Sequence, residues 1–175
     1  ELGTKGTAVT RMKEAHAAAK ILKLEVRENL QLADGFFEIN EASLLKVIHQ
    51  IRKYQPEIVL CNAVSDRHPD HGRASQLISD ACFYSGLRKV ETEMLGQAQE
   101  HWRPKAVYHF VQDRLLKPDF VVDVTDQVEI KMESILAYSS QFYDPDSTEP
   151  ETPISSEGFL DFVKARMMQF GREIG

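Results

Sequence analysis

Cysteine is scarce in this 175-residue sequence, which has only Cys61 and Cys82. Two cysteines are too few for a disulfide framework, so the composition favours a reducing, cytoplasmic location over a secreted one. Long apolar runs are missing as well, and no stretch approaches the roughly 20 residues of a membrane-spanning helix. These shortages argue against a disulfide-stapled secreted domain and against a membrane protein.

An excess of basic charge is also lacking. The chain has 21 Lys and Arg against 27 Asp and Glu, which gives a net charge of −6. Wrapping a nucleic acid requires a basic face, so we expect no nucleic-acid partner. No glycine-rich phosphate loop follows a predicted strand, which disfavours a flavodoxin-like or nucleotide-binding domain. The remaining composition, 42% hydrophobic and 27% charged residues, is typical of a globular domain.

Helical and strand-like patterns alternate along the chain. Spacing of apolar residues and candidate caps predict helices over residues 7–23, 40–55, 71–87, 126–141 and 155–170. Short apolar or β-branched runs predict strands over residues 24–30, 57–62, 105–112 and 119–125. This order predicts an α/β, three-layer Rossmann-like fold with a mainly parallel sheet, in a single domain over residues 1–175.

The stretch VSDRHPDHGRAS, Val64–Ser75, has the highest density of reactive side chains. It follows the predicted strand 57–62, and ligands of open α/β sheets bind beyond the carboxyl ends of the strands. Pro69 suits the first turn of the next helix, which puts His68 near its cap. His68 and His71 are three residues apart, so their side chains lie on the same side of the helix.

This stretch is compatible with two kinds of role. A neutral His71 is a good zinc ligand, and Asp70 or Asp66 could hold the other ring nitrogen of a neighbouring histidine. His68, paired with a carboxylate, could act as a general acid. The structural alternative is a charged loop that caps a helix, because an aspartate stabilises a helix N-terminus. The position at a strand end and the four titratable residues favour the functional interpretation.

The stretch does not contain a complete metal site. Catalytic zinc usually takes three protein ligands and a water, whereas this segment offers one or two. The other histidines are His16, His49, His101 and His109. We expect the first two on solvated helix faces and His109 to be a satisfied strand histidine, whereas His101 has no assignment. The missing ligands are therefore either distant in sequence or outside this chain.

Five segments carry a resemblance to a known family: ELGTKGT (1–7), DRHPDH (66–71), SQFYDP (140–145), ETPIS (151–155) and ARMMQFG (165–171). With them, the chain resembles the LmbE-like (PIG-L-like) zinc-dependent N-acetylglucosaminyl deacetylases. It is most similar to the branch that deacetylates N-acetylglucosaminyl-malate in bacillithiol biosynthesis. The family's upstream His-Pro-Asp-Asp motif is not among these residues. The resemblance therefore implies a missing first βα unit, further zinc ligands upstream, and a missing C-terminal piece.

The resemblance also implies roles for individual residues. By position, His71 matches a zinc ligand, and His68 matches the histidine that polarises the amide carbonyl or protonates the leaving amine. Asp70 matches the carboxylate partner of His68. Arg67 is a candidate anchor for the carboxylates of malate, and Glu1 stands where the family keeps a glutamate near the sugar. The implied reaction is zinc-assisted attack of water on the acetamide, followed by release of acetate and a free amine.

Two alternatives to this interpretation remain open. The chain could be a non-catalytic α/β scaffold in which the histidine pair is structural, and zinc content would separate this from an enzyme. Arg67 could equally be a solvated loop arginine. The aromatic residues Phe36, Phe37 and Phe142 predict an interface and hence a homo-oligomer, although packing within the domain would also account for them.

Overall fold

The computed structural model describes residues 2–3 and 5–175 of the chain. These residues divide into two units: Glu1–Asn29 with Pro118–Gly175, and Leu30–Lys117. The prediction of a single domain over residues 1–175 stays a prediction.

All five predicted helices are present, as are the predicted strands over residues 57–62 and 105–112. The helices are α1 (Ala8–Ile21), α2 (Glu41–Tyr54), α3 (Pro69–Tyr84), α4 (Val128–Leu136) and α5 (Phe159–Gly171), with a 3-10 turn at Thr125–Gln127. The strands are β1 (Ile58–Cys61), β2 (Glu93–Met94), β3 (Gln97–Ala98) and β4 (Ala106–His109).

Helix α2 shows how local sequence sets the element boundaries in the unit Leu30–Lys117. Asn40 and Ser43 form a capping box, in which each side chain accepts the backbone N–H of the other at 3.0 Å. Such reciprocal bonds satisfy N–H groups that have no partner within the helix. Gln55 ends the helix in the left-handed conformation with φ 48°, and Pro56 follows. The predicted helix over residues 40–55 is thus confirmed.

A two-stranded parallel sheet positions the loop that carries the histidines. Strand β1 pairs with β4 in parallel, with Ile58 opposite Ala106 and Cys61 opposite His109. Helix α3 contacts both strands and packs against α2. The core of this unit consists of buried residues from α2 and α3: Ile48, Ile51, Ala81 and Cys82. Because the strands are parallel, the chain leaves both of them at the same edge of the sheet.

Two predicted strands are wrong. Residues 24–30 and 119–124 form neither helix nor strand, and they belong to neither of the two sheets of the described residues. A hairpin that the sequence patterns did not predict joins β2 to β3 in antiparallel pairing. Its turn residues Leu95 and Gly96 both have positive φ, at 54° and 76°. Such a turn matches the right-handed twist of the flanking strands.

The unit formed by Glu1–Asn29 and Pro118–Gly175 is built on contact between α1 and α4. Glu14 of α1 is buried, and its carboxylate accepts hydrogen bonds from the Ser140 N–H at 2.7 Å and the Ser140 hydroxyl at 2.9 Å. Gln141 donates its amide to the carbonyl of Lys5 at 2.8 Å. The ring of Phe142 stacks on Phe159 with centroids 5.7 Å apart, so Phe142 packs inside this unit.

The structure has a mixed α/β fold with a parallel sheet and flanking helices, as predicted. The three-layer Rossmann-like arrangement stays a prediction. Within the described part of the chain, no helix is both long enough and apolar enough to cross a membrane.

Candidate functional site

The loops that follow β1 and β4 meet at the carboxyl edge of the parallel sheet. The backbone N–H of Phe110, just after β4, donates to the carbonyl of Cys61 at 3.0 Å. Farther out, the N–H of Ala63 donates to the side-chain carbonyl of Gln112 at 2.9 Å. These contacts bring residues 62–68 against residues 110–114, at the position where open α/β sheets bind ligands.

Asp66 connects the two loops to helix α3. Its side chain is only 1% exposed. Oδ1 accepts the backbone N–H groups of Asp113 and Arg114, each at 3.0 Å, and Oδ2 accepts a short hydrogen bond from His71 Nδ1. Burial by itself would raise the pKa of Asp66, but the hydrogen bonds from His71 and from backbone N–H groups lower it to about 2. Asp66 is therefore an ionised carboxylate at neutral pH.

Asp66 determines the tautomer of His71. Because the carboxylate can only accept, Nδ1 of His71 carries the proton, and Nε2 of the neutral ring keeps its lone pair. The His71 side chain is 36% exposed. A carboxylate bonded to the far nitrogen is the arrangement that orients metal-binding histidines in proteins. Of the two partners that the sequence left open, Asp66 is thus the one that holds a histidine.

His68 has the opposite tautomer. It is the N-cap residue of α3, and its Nδ1 accepts the backbone N–H of Asp70 at 3.2 Å. Since Nδ1 acts as an acceptor, the proton of the neutral ring sits on Nε2. The rings of His68 and His71 lie side by side, with centroids 5.2 Å apart. The site thus combines a ring with an N–H to donate and a ring with a lone pair to offer.

The predicted pairing of the Asp70 carboxylate with His68 is not found. Oδ2 of Asp70 accepts the backbone N–H of Gly35 at 2.7 Å, and Oδ1 accepts from the Arg73 guanidinium at 2.7 Å. The reason is geometric: His68 already uses Nδ1 on the backbone of Asp70, which leaves the carboxylate to turn toward Gly35 and Arg73. The catalytic role assigned to Asp70 stays a prediction, whereas its expected partner is corrected.

Of the two predicted substrate-binding residues, the structure describes Arg67 but not Glu1. Arg67 is exposed, and its Nε lies 3.6 Å from the carboxylate of Asp113. Glu1 lies outside the described residues. Arg114, which sequence reasoning missed, donates to the Ser65 hydroxyl at 3.3 Å. The rule that ligands bind beyond strand ends, applied to the strand at 105–112 as well, would have singled out this loop.

His109 does not contribute to the open site. Its Nδ1 lies 3.0 Å from the carbonyl of Asn62 and 2.9 Å from the Ser75 hydroxyl, and its Nε2 lies 3.2 Å from the Ser79 hydroxyl. Both ring nitrogens are therefore engaged between β4, the end of β1 and α3. The ring is a satisfied histidine, as predicted.

The described residues fit one ligand position of a metal site but not a complete one. His71 offers an oriented Nε2 beside a buried carboxylate. Across residues 2–3 and 5–175, however, no group of three or more His, Cys, Asp or Glu is arranged to hold a metal ion. Catalytic zinc usually needs three protein ligands, so these residues alone do not form such a site.

We expect Asp66→Asn to lower the free energy of unfolding by on the order of 2 kcal/mol at neutral pH, since the folded-state pKa of Asp66 is depressed from 3.8 to about 2. A depressed pKa stabilises the fold above the unfolded-state pKa. This contribution is lost as the pH falls from about 4 to about 2. The check is urea unfolding of both proteins between pH 7 and pH 3.

The matched control for this prediction is Asp146→Asn, which neutralises an exposed loop carboxylate. It should change the free energy of unfolding by less than about 0.5 kcal/mol. A difference between wild type and Asp66→Asn that stays constant down to pH 3 would contradict the assigned role of the Asp66 charge.

Comparison with known proteins points to one family. Residues 2–82 match the family model described as PIG-L: GlcNAc-PI de-N-acetylase. The chain is 25% identical over 139 residues to the diacetylchitobiose deacetylase of Thermococcus kodakarensis, covering 77% of this chain and 51% of that protein. The chain thus spans about half the length of this curated relative.

Solved structures share the fold. The conserved protein TT1542 from Thermus thermophilus has a TM-score of 0.85 and 29% identity, over 99% of this chain and 72% of its own. The N,N'-diacetylchitobiose deacetylase of Pyrococcus horikoshii has a TM-score of 0.77 and 22% identity, and the match covers 96% of this chain and 60% of that protein. The 4-carboxy-2-hydroxymuconate hydratase GalB of Pseudomonas putida has a TM-score of 0.72 and 22% identity, and the match covers 95% of this chain and 65% of that protein. At 22% identity, the similarity to the last two structures shows a shared fold only.

The family match and the chitobiose deacetylase relative support the resemblance of this chain to the PIG-L/LmbE-like deacetylase family.

Proposed function

We propose that this chain belongs to the PIG-L/LmbE-like family and forms part of a zinc-dependent hydrolase. The reaction would remove the N-acetyl group from an N-acetylglucosamine conjugate. The observation that carries the proposal is the pair of imidazole rings, 5.2 Å apart at the carboxyl end of β1, whose hydrogen-bond partners assign them opposite tautomers. The family match over residues 2–82 supports it, because that range includes the whole DRHPDH segment.

The two tautomers suit the hydrolysis of an amide. Attack of water on the acetamide carbonyl creates an oxyanion, and the amine can leave only after it receives a proton. His68 carries its proton on Nε2, so it can donate a hydrogen bond to the oxyanion. The proton that the amine takes up is the one released by the attacking water, because a neutral imidazole that gave up its only proton would be left as an imidazolate. His71 offers only a lone pair at Nε2, so it cannot replace His68 in this step while it is neutral.

Zinc enters the proposal through His71. We propose Nε2 of His71 as one ligand, with Asp66 holding its tautomer, and the remaining ligands outside the described residues. When bound, zinc polarises the carbonyl and lowers the pKa of a bound water. The donor chemistry is appropriate, since a neutral imidazole with a carboxylate behind it is a common zinc ligand.

The identity of the conjugate is the finer part of the proposal. We propose N-acetylglucosaminyl-malate, as in bacillithiol biosynthesis, with the exposed Arg67 guanidinium binding a carboxylate of malate. Arginine suits this task because its planar fork matches a carboxylate. Glu1, which is outside the described residues, is proposed as a further sugar-binding residue. A cytoplasmic location, a three-layer Rossmann-like fold and a homo-oligomeric assembly complete the proposal.

The main alternative is a non-catalytic scaffold in which the histidines are structural. Its support is the cap that His68 provides to helix α3. The likeness to a hydratase at 22% identity is a further reason to test the reaction itself, because one fold hosts many chemistries. A direct assay of the reaction separates these possibilities.

The test is acetate release by the full-length, zinc-loaded protein. We expect release from N-acetylglucosaminyl-malate at least tenfold faster than from N-acetylglucosamine or diacetylchitobiose, because only the malate conjugate offers carboxylates to Arg67. Arg67→Ala should remove that preference and leave the other two substrates unaffected. Equal rates with all three sugars would contradict the malate assignment, and no release from any of them would contradict the deacetylase.

A further inference from the structure

Asp70 and Arg73 fasten a distant turn to the first turn of α3. Asp70 accepts the N–H of Gly35 at 2.7 Å, and Arg73 donates both to Asp70 at 2.7 Å and to the carbonyl of Gly35 at 3.1 Å. Gly35 thus has both of its backbone polar groups bound. Its φ of 73° lies in the left-handed region that favours glycine. These three residues form a clasp, which we call the Gly35 clasp.

The clasp is partly shielded from water. The side chains of Asp70 and Arg73 are 15% and 31% exposed, so their charge-assisted hydrogen bonds are stronger than those of a surface pair. The Arg73 guanidinium also lies over the ring of Phe37, 5.2 Å from its centroid. The turn is therefore held by hydrogen bonds at Gly35 and by a cation–π contact at Phe37.

Phe36, between these two fixed residues, is left 77% exposed. Its backbone N–H donates a hydrogen bond to the carbonyl of Ala33 at 3.3 Å, which closes the turn. With a spacing of about 3.8 Å between consecutive Cα atoms, the Cα of Phe36 lies within about 8 Å of the Asp70 carboxylate. Asp70 stands between His68 and His71 in sequence. A largely exposed apolar ring is thus held close to the first turn of α3, the helix that begins next to His68 and carries His71.

We propose that Phe36 binds the substrate by packing against the apolar C–H face of its sugar ring, and that Asp70 is a positioning residue that holds Phe36 there. The inference rests on the proposed function and names a contact of that same site. Binding sites combine aromatic walls with a few polar groups, and they work best when the wall is rigid. The Gly35 clasp supplies that rigidity.

This assignment gives Asp70 a different kinetic signature from that of a partner of His68. A residue that only positions a binding wall affects ground state and transition state alike, so its loss raises KM and leaves kcat nearly unchanged. A residue that steadies the proton donor would lower kcat. Asp70→Asn keeps the size of the side chain and removes its charge, which weakens the two clasp hydrogen bonds that Asp70 accepts, from Gly35 and from Arg73.

The test measures sugar binding apart from chemistry. Titration calorimetry of N-acetylglucosamine into the full-length protein should give about tenfold weaker binding for Phe36→Ala, whereas Phe36→Tyr should bind like wild type because it keeps the ring. Leu95→Ala, which truncates a 98% exposed side chain in the β2–β3 turn, is the matched control and should not change the affinity. Asp70→Asn should weaken binding too. In the Phe36→Ala background, Asp70→Asn should cause no additional loss of affinity, since the two residues act as a unit.

The outcomes separate this inference from the proposed function. Wild-type-like binding by Phe36→Ala, or a fall in kcat at constant KM in Asp70→Asn, would overturn the inference while acetate release still supports the deacetylase. Sugar binding that depends on Phe36 without any acetate release would support the inference and overturn the proposed reaction. Failure of the wild-type protein to bind the sugar would overturn the inference, whereas the proposed reaction would still be decided by acetate release from the malate conjugate.

Discussion

His71→Ala should abolish acetate release by the full-length protein and lower its zinc content. His71 is the one residue of the described stretch whose free ring nitrogen is oriented as a ligand, by a hydrogen bond to an ionised Asp66. Removing one of three protein ligands from a catalytic zinc site leaves too few to hold the metal firmly. We therefore expect turnover to fall to background and bound zinc to fall well below one per chain.

The His71 prediction is checked by measuring acetate release and zinc content on the same samples. His16→Ala is the matched control, because His16 is an exposed histidine on α1 whose Nδ1 bonds to the carbonyl of Met12 in its own helix. It should keep both properties. Retention of full zinc by His71→Ala would show that this ring is not a ligand, whatever happened to turnover.

Asp66 connects that prediction to the rest of the fold. Its carboxylate accepts two backbone N–H groups from residues 113 and 114 and one bond from His71. Loss of such an outer partner typically costs ten- to a hundredfold in metal affinity or activity. Asp66→Asn should therefore be milder than His71→Ala. The buried aspartate makes the orientation of His71 depend on how the loop after β4 packs.

Local sequence signals predicted the centre of the site well. Pro69 at the first helical position and His68 at the cap are confirmed, because both depend only on neighbouring backbone. The short apolar run of β1 was also recognisable from local sequence, so the histidine-bearing loop was correctly placed after a strand. Contacts across the chain were not predictable in this way. Asp66 accepts hydrogen bonds from Asp113 and Arg114, which are separated from it by 47 and 48 positions in the sequence. Asp70 accepts a hydrogen bond from Gly35, which is 35 positions away.

Two of the four strand predictions, over residues 24–30 and 119–125, failed for a related reason. An apolar, β-branched run indicates a side chain that suits a pleated surface, but a strand exists only where a second segment pairs with it. Residues 119–124 have that composition, yet Phe120 and Val122 are exposed and belong to neither of the two sheets in the described part of the chain. The β2–β3 hairpin has the opposite problem, since its two-residue strands are too short to produce a pattern. Its Leu-Gly turn also lacks the usual Asn-Gly signal.

His68 raises the question of whether the histidine pair is chemical or structural, because the structure gives this residue a structural task. Nδ1 of His68 caps helix α3 by accepting the Asp70 N–H, while Nε2 keeps its proton at the site. His68→Ala removes both functions at once. It should cost about 1 kcal/mol of stability through the lost cap. It should also lower turnover by a hundred- to a thousandfold through the lost donor.

His68→Asn separates these two functions. Asparagine is among the best N-cap residues, so the variant should unfold at the same urea concentration as wild type. It places no proton donor where Nε2 was, so kcat should fall by the same hundred- to thousandfold as in His68→Ala, with zinc content unchanged. The measurement is a urea unfolding curve and an acetate-release assay on the same samples. If His68→Asn kept full turnover, His68 would be a helix cap alone, and the scaffold alternative would gain its strongest support. If it instead lost zinc, His68 would be a ligand, and the tautomer assigned from its contact with Asp70 would be wrong.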